Sequence, residues 1–298
     1  MRLGIDLGGT KIECVVISDD NEIIFRERTP TPKGNYQETL NSIASLVNKT
    51  ASFLPSDTPL GIGIPGTLSS DTGTIKNANS TCLIGRALDK DLSEKLDRKV
   101  TLANDANCFI WSEFCDGAAK GTTNAFGVII GTGVGGGLVM NKGLVNGLNG
   151  IAGEWGHNPL PHFTHENRHC YCGKSDCIET YLSGPGFEKR FHEQQISSGD
   201  LSQAKSAKEI VELARFGNSS AKTHLDDYAR RLAASLTGVI NVVDPDIIVL
   251  GGGMSNVDEL YELVPKYLKE YVFSDTIHTP IVKAKHGDSS GVRGAAWL

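Results

Sequence analysis

Two segments roughly half a chain apart repeat one local pattern: a short apolar strand, a glycine turn and a second strand. Residues 3–16 run Leu-Gly-Ile-Asp-Leu into Gly8-Gly9 and resume a β-rich run at Cys14, Val15 and Val16. Residues 126–140 run Phe-Gly-Val-Ile-Ile into Gly-Thr-Gly-Val-Gly-Gly-Gly and then Leu-Val-Met. Two such hairpins point to a duplicated architecture, and the segments around them alternate strand with helix. Residues 36–53 carry Leu40, Ile43, Ala44, Leu46 and Val47 at helical spacing, and 60–64 form a short strand closed by Pro65-Gly66. A strand over 100–103 leads into a helix over 106–115. Later, Leu225, Tyr228, Ala229, Leu232, Leu236, Val239, Ile240 and Val243 predict a long amphipathic helix that feeds a buried strand over 246–250. Residues 290–298 predict a short closing helix. The chain of 298 residues is long enough for an α/β fold of two lobes, with a boundary near 117–123.

Ten of the 34 glycines fall between Gly131 and Gly156, where backbone must turn sharply or let a ligand approach. The net charge of −6, without a stripe of Lys or Arg, disfavours nucleic acid and acidic membrane surfaces as partners. No signal-peptide pattern opens the chain and no apolar run reaches the ~18 residues of a membrane span, so a cytoplasmic location is expected. Seven cysteines in such a chain suggest metal or free thiols before disulfides.

Asp6-Leu-Gly-Gly-Thr-Lys11 puts a carboxylate at a strand end and then a turn whose N–H groups can hold phosphate oxygens, or an ordinary hairpin tip. The run from Thr132 through Gly133, Val134, Gly135 and Gly136 to Gly137 is a second such turn; neither is a P-loop. Gly251-Gly252-Gly253 after a strand can let an adenosine lie against bare backbone, or simply turn the chain. Asn104-Asp105 lies between a strand and a helix, so Asp105 is either an N-cap or a carboxylate able to take a proton from a hydroxyl during phosphoryl transfer. Cys170, Cys172 and Cys177 with His157 supply four ligands for one closed, structural Zn²⁺, with His162, His165 and His169 as rivals for the fourth position. Glu154 and Glu179 flank that segment as possible acceptors for a polyol or as surface glutamates.

Together these motifs resemble the ROK (Repressor, ORF, Kinase) family of the sugar kinase, Hsp70 and actin superfamily. The likeness is carried by Asp6 to Lys11, Gly63-Ile-Pro-Gly66, Leu102-Ala-Asn-Asp-Ala-Asn107, Ile130 to Gly137, Gly153-Glu-Trp-Gly-His157, Cys170 to Cys177, Ile178-Glu-Thr180, Ser183-Gly184 and Asp244 to Gly253. It implies a two-lobed actin-like or Hsp70-like ATPase fold of duplicated RNase H-like domains around a cleft. The lobes would span 1–119 and 120–287, the second holding a zinc loop at 157–177, and the helix at about 288–298 would return to the first. The resemblance makes Asp105 the general base, and Gly8, Gly9, Thr10 and Lys11 with 132–137 the ATP phosphate clamps. It makes Asn79, Asn104, Asp105, Glu154, His157 and Glu179 the sugar-facing set, with the zinc histidine reaching sugar through its other nitrogen. Asp6 would help place Mg²⁺ through water, and Gly251 and Gly252 would serve the nucleotide. One departure is Asp176, where the family often has Gly.

The stretch 76–81 and the ending 286–297 look most like bacterial fructokinases of the manno(fructo)kinase type, which implies transfer from ATP to the 6-hydroxyl of D-fructose. N-acetylglucosamine kinases share much of the pattern, and N-acetylmannosamine, glucose and mannose are further candidates. Small-molecule sugar and ATP are the expected partners, and a homodimer is compatible with the chain. Sugar-sensing repressors of the family carry a DNA-binding region ahead of the Asp-Leu-Gly-Gly-Thr turn; this sequence begins five residues before Asp6, so an enzyme is expected.

Overall fold

The computed structural model describes residues 1–78, 80–199 and 203–298. They form two compact units: Met1–Thr123 with Gly137–Gly153 and Lys285–Leu298, and Asn124–Gly136 with Glu154–Ala284.

In the first unit β1 (Arg2–Leu7), β2 (Lys11–Ile17) and β3 (Ile23–Pro30) form an antiparallel meander, followed by α1 (Tyr36–Asn48) and β4 (Leu60–Ile64). A small hairpin of β5 (Thr67–Leu68) and β6 (Ile75–Lys76) precedes α2 (Leu88–Leu96), β7 (Val100–Asn104) and α3 (Asp105–Cys115). β4 pairs parallel with both β1 and β7, giving the order β3-β2-β1-β4-β7. Side-chain alternation along β2 feeds two cores. Ile12, Cys14 and Val16 join the large core with Leu40 and Ile43 of α1 and Leu88 and Leu92 of α2, whereas Val15 and Ile17 meet Val292 and Ala296 on the opposite face. The edge strand β3 alternates between half-buried and exposed residues, as a strand with one wet face does. Helix α1 starts where Asn35 accepts from the Glu38 N–H and stops at Asn48, short of the Phe53 expected from spacing. Thr50 ends it by giving both its N–H and its hydroxyl to the Val47 carbonyl, and Phe53 packs on Phe25 from the following turn.

The second sheet is built from β8 (Ala125–Ile130), β9 (Val134–Met140), β10 (Gly143–Val145), β11 (Ile247–Gly251) and β12 (Ile281–Lys283) in the order β10-β9-β8-β11-β12. β11 pairs parallel with β8 and β12. Counted along the chain, both sheets read 3-2-1-4-5, which is the duplicated α/β architecture expected from the paired hairpins. Helices α4 (Glu179–Leu182), α5 (Gly184–Ser197), α6 (Ala207–Arg215), α7 (Ser219–Val243) and α8 (Leu260–Tyr271) complete the second unit. α7 begins ahead of its apolar stripe because Asn218 caps it through the Ala221 N–H, and it ends at Asp244, whose φ of 46° and following Pro245 stop the helix.

The sequence division put all of 120–287 in one lobe, but residues 137–153 pack with the first unit. A Cβ on Gly137 would lie 2.6 Å from the Ala106 carbonyl oxygen and 2.7 Å from Ile110 Cγ2, so this backbone runs directly against α3. The C-terminal helix (Ser290–Ala296) also lies in the first unit, held by equally close approaches. A Cβ on Gly294 would come within 1.7 Å of the Cys108 carbonyl oxygen, and one on Gly61 within 1.8 Å of that of Ala295.

Two buried acids at the end of α3 fasten this returning segment. Glu113 Oε2 accepts from the Ala118 N–H at 2.8 Å and the Lys285 N–H at 3.0 Å, and Oε1 from the His286 N–H at 3.1 Å and the Ser290 hydroxyl at 2.8 Å. Asp116 accepts from His286 Nε2 at 2.9 Å and pairs with Arg293. No helix among the described residues is long and apolar enough to cross a membrane.

Candidate functional site

In the first unit the candidate groups gather at the carboxyl ends of parallel strands, where open α/β sheets hold ligands. The β1–β2 turn is closed by the Gly8 N–H on the Lys11 carbonyl at 3.0 Å. Thr31 braces it, giving its hydroxyl to the Gly8 carbonyl at 2.7 Å and its N–H to the Thr10 carbonyl at 3.0 Å. Gly9, Thr10 and Lys11 are exposed, so the tip can offer N–H groups and one ammonium to an anion. Beneath them Glu13 is 1% exposed and pairs with Arg26 Nε at 2.5 Å and Arg28 Nε at 2.8 Å, while Lys11 Nζ stands 3.8 Å away. The Asp6 carboxylate sits over Gly63, within 3.7 Å of where a Cβ would be. Burial first, then repulsion from Asp105 and Glu13, pushes the Asp6 carboxyl up to about 6.

Between the two roles considered for Asp105, the cap belongs to its neighbour. Asn104 has extended backbone, accepts the Ala106 N–H at 2.9 Å, and donates through Nδ2 to the Gly66 carbonyl at 3.2 Å. Asp105 is the first helical residue of α3, and its Oδ1 shares the Ala106 N–H at 2.8 Å. Crowding by surrounding protein raises its carboxyl above the usual range, against the lowering effect of that N–H. Its side chain nevertheless remains open to water. Asn79 lies outside the described residues.

In the second unit Glu179 anchors the other glycine turn. Its Oε2 accepts the Val134 N–H at 2.9 Å and lies where a Gly133 Cβ would come within 2.6 Å, so a side chain at 133 would displace it. The turn is closed by Gly131 N–H to Gly133 O at 2.9 Å, tied to α5 by Gly184 N–H to Gly131 O at 2.8 Å, and held by Trp155 Nε1 to Gly135 O at 3.0 Å. The adjoining cavity of about 600 Å³ is lined by Thr132, Cys170, Tyr171, Glu179, Ser183 and Gly186, among others. Glu154 is exposed and immediately precedes the one-turn helix Trp155–His157.

The structure brings His157, Cys170, Cys172 and Cys177 together, with ligand atoms within 4.8 Å of one another. Cys172 and Cys177 sulfurs are 3.6 Å apart, and Cys170 Sγ is 3.6 Å from His157 Nδ1. A tetrahedral ion with metal–sulfur bonds of about 2.3 Å separates its sulfurs by about 3.8 Å, so the set fits a closed Zn²⁺ site. The rival histidines are engaged elsewhere: His165 Nε2 with the Leu160 carbonyl, His169 Nδ1 with Ser175, and His162 against the Tyr271 ring. Asp176 takes the left-handed turn with φ 58°, and its buried carboxylate compensates. It accepts the N–H groups of Glu166, Asn167 and Arg168 and the Tyr181 hydroxyl, so the acid that replaces glycine also ties down the loop.

Gly252 has φ 81°, and a Cβ there would lie 2.5 Å from the Ile130 carbonyl oxygen; Gly253 next to it has open space. Bare backbone therefore stands at the ends of β8 and β11. Tyr171 was not singled out from sequence, although its place between Cys170 and Cys172 marks it. It is 75% exposed, with its hydroxyl 3.1 Å from His157 Nε2.

The profile of the ROK family matches residues 2–298. The N-acetyl-D-glucosamine kinase of Haemophilus influenzae is 40% identical over 306 residues, which cover 100% of this chain and 99% of that protein. A ROK family glucokinase from Streptomyces griseus, solved with glucose and AMPPNP, has a TM-score of 0.80 at 26% identity, covering 100% of this chain and 98% of its own. The ROK hexokinase from Thermus thermophilus has a TM-score of 0.82 at 28% identity, covering 99% and 96%.

Proposed function

Because the chain belongs to the ROK family, we propose that it is an ATP-dependent kinase acting on the 6-hydroxyl of a hexose, with Asp105 as general base. The observation that carries this assignment is the division of labour at the start of α3, where Asn104 is the capping residue and Asp105, although its Oδ1 shares the Ala106 N–H, keeps its carboxylate exposed. A carboxyl raised from its ordinary range is a better match to neutral pH for taking a proton. As the sugar oxygen bonds to the γ-phosphorus, its proton passes to Asp105, the bond from that phosphorus to the bridging oxygen breaks, and ADP leaves. The turn of Gly8, Gly9, Thr10 and Lys11 and the turn 132–137 would hold phosphate oxygens, with Gly251 and Gly252 beside the nucleoside. Mg²⁺ would supply charge neutralisation on the phosphates, with Asp6 orienting its water. Asn79, Asn104, Glu154, His157 and Glu179 would hold the sugar, and zinc on His157, Cys170, Cys172 and Cys177 would fix the loop that links Glu154 and His157 to Glu179.

N-acetyl-D-glucosamine is the first candidate substrate, since relatives 37 and 40% identical over the whole chain bear that activity in their names. This replaces the fructokinase expectation, which rested on 76–81 and 286–297; D-fructose remains the second candidate on those same residues. A coupled ADP-release assay across N-acetylglucosamine, N-acetylmannosamine, glucose, mannose and fructose ranks them by kcat/KM. Asp105→Asn should lower kcat by about 10²–10⁴-fold while sugar binding persists, and full activity in that variant would remove Asp105 from the chemistry.

A further inference from the structure

We propose that Tyr171 is a specificity-determining residue whose hydroxyl competes with the sugar for the Nε2 atom of His157. The inference rests on the kinase assignment above and adds to it a residue that sets how tightly the sugar is held.

Tyr171 has ligand candidates on both sides, Cys170 and Cys172, so a metal would pin its backbone from each flank. Its own side chain must then project out of the loop. Cys170 is 8% exposed and Tyr171 is 75% exposed. The ring meets that of His157 edge to face, at 5.2 Å between centroids and 84° between planes. His157 Nδ1 faces the Cys170 sulfur at 3.6 Å, which leaves Nε2 as the only ring nitrogen directed elsewhere. A histidine bound to metal through Nδ1 carries its proton on Nε2 and donates it to an outer partner. Tyr171 Oη, 3.1 Å from Nε2, occupies the position of that partner.

The same tyrosine lines a cavity of about 600 Å³ together with Glu179, another residue assigned to the sugar, while His157 meets Tyr171 from outside that lining. A sugar hydroxyl that accepts the Nε2 proton must therefore displace the tyrosine hydroxyl. The exchange replaces one neutral hydrogen bond by another, so the tyrosine weakens sugar binding without changing the groups that transfer phosphate. A sugar whose hydroxyl meets Nε2 feels this competition, and one that leaves Nε2 alone does not. Tyr171 thus separates hexoses by the position of that hydroxyl.

The test compares wild type with Tyr171→Phe in the ADP-release assay, using the sugar that wild type prefers. Freed from competition, the variant should show a sugar KM lower by about two- to tenfold, with kcat, the ATP KM and the bound zinc unchanged. A gain of this kind is not what a loosened loop produces. A sugar KM that is unchanged or higher in the variant overturns the competition while leaving the kinase assignment standing. If wild type phosphorylates none of the five sugars, the kinase assignment falls and this inference falls with it.

Discussion

Replacing Glu113 by Gln removes one charge and one acceptor from a fully buried carboxylate that holds four donors. The amide keeps one oxygen, so two orientations compete. With the oxygen toward Ser290 and His286, the new NH₂ faces two backbone N–H groups, those of Ala118 and Lys285, and neither can reverse its role. With the oxygen toward Ala118 and Lys285, the NH₂ faces the Ser290 hydroxyl, which can turn to accept, and only the His286 N–H is orphaned. The second arrangement is cheaper and should be adopted. It loses one charge-assisted bond of about 1.5–3 kcal/mol and weakens the other three, for a total of about 2–4 kcal/mol. Guanidinium denaturation of a Trp155→Phe background isolates the effect, because the remaining tryptophans, Trp111 and Trp297, both lie in the first unit and are hydrogen-bonded to each other. The transition they report should shift by that amount. A loss under about 1 kcal/mol would mean that water already shares these donors and that the buried network does not fasten the returning segment.

The raised Asp6 carboxyl makes a pH prediction. Well below the unfolded value of 3.8 both folded and unfolded states carry a protonated Asp6; as pH rises the unfolded chain ionises first and the folded form follows only near about 6, so the cost to stability builds between these values and is complete above them. Asp6→Asn should therefore be more stable than wild type by about 1–3 kcal/mol at pH 7 without nucleotide, with the gain falling away toward pH 4. A stability difference that is flat between pH 4 and 7 would contradict the burial and repulsion assigned to Asp6. Cys177→Ser should lose its zinc and raise the sugar KM by roughly tenfold or more while the ATP KM stays within about twofold, read by metal analysis and steady-state kinetics. Retention of a full metal equivalent would exclude the four-ligand site.

Local chemistry made the hairpins, the buried strands and the cysteine cluster legible, because each depends on residues close in sequence. Asn104 and Asp105 could not be told apart in that way, since both are favoured caps; only the extended backbone at Asn104 and its bond to Gly66 separate them. The choice among four histidines likewise rests on which ring reaches Cys170 in space. Residues 137–153 were assigned to the second lobe because nothing in their sequence records that Gly137 lies against α3. Nothing near Glu113 and Asp116 in sequence marks them as buried, because their partners lie about 170 positions later. The pattern does not mark β3, because Arg26, Glu27 and Arg28 interrupt its apolar alternation.

The discontinuity of the first unit sets an order of events at the ribosome. Its strands β1 and β4 are made early, yet the helix Ser290–Ala296, whose backbone rests on Gly4 and Gly61, is made only after the second unit. Nearly all of the second unit is synthesised in between, as a contiguous stretch from Glu154 to Ala284 that can bury its own core. The first sheet must therefore wait with one face uncovered until residues 285–298 have emerged, a long loop closure of the kind that slows folding and favours association with other chains. Nascent copies would be at their most vulnerable in the interval before Lys285–Leu298 leaves the exit tunnel, and truncation there would leave Val15 and Ile17 bare.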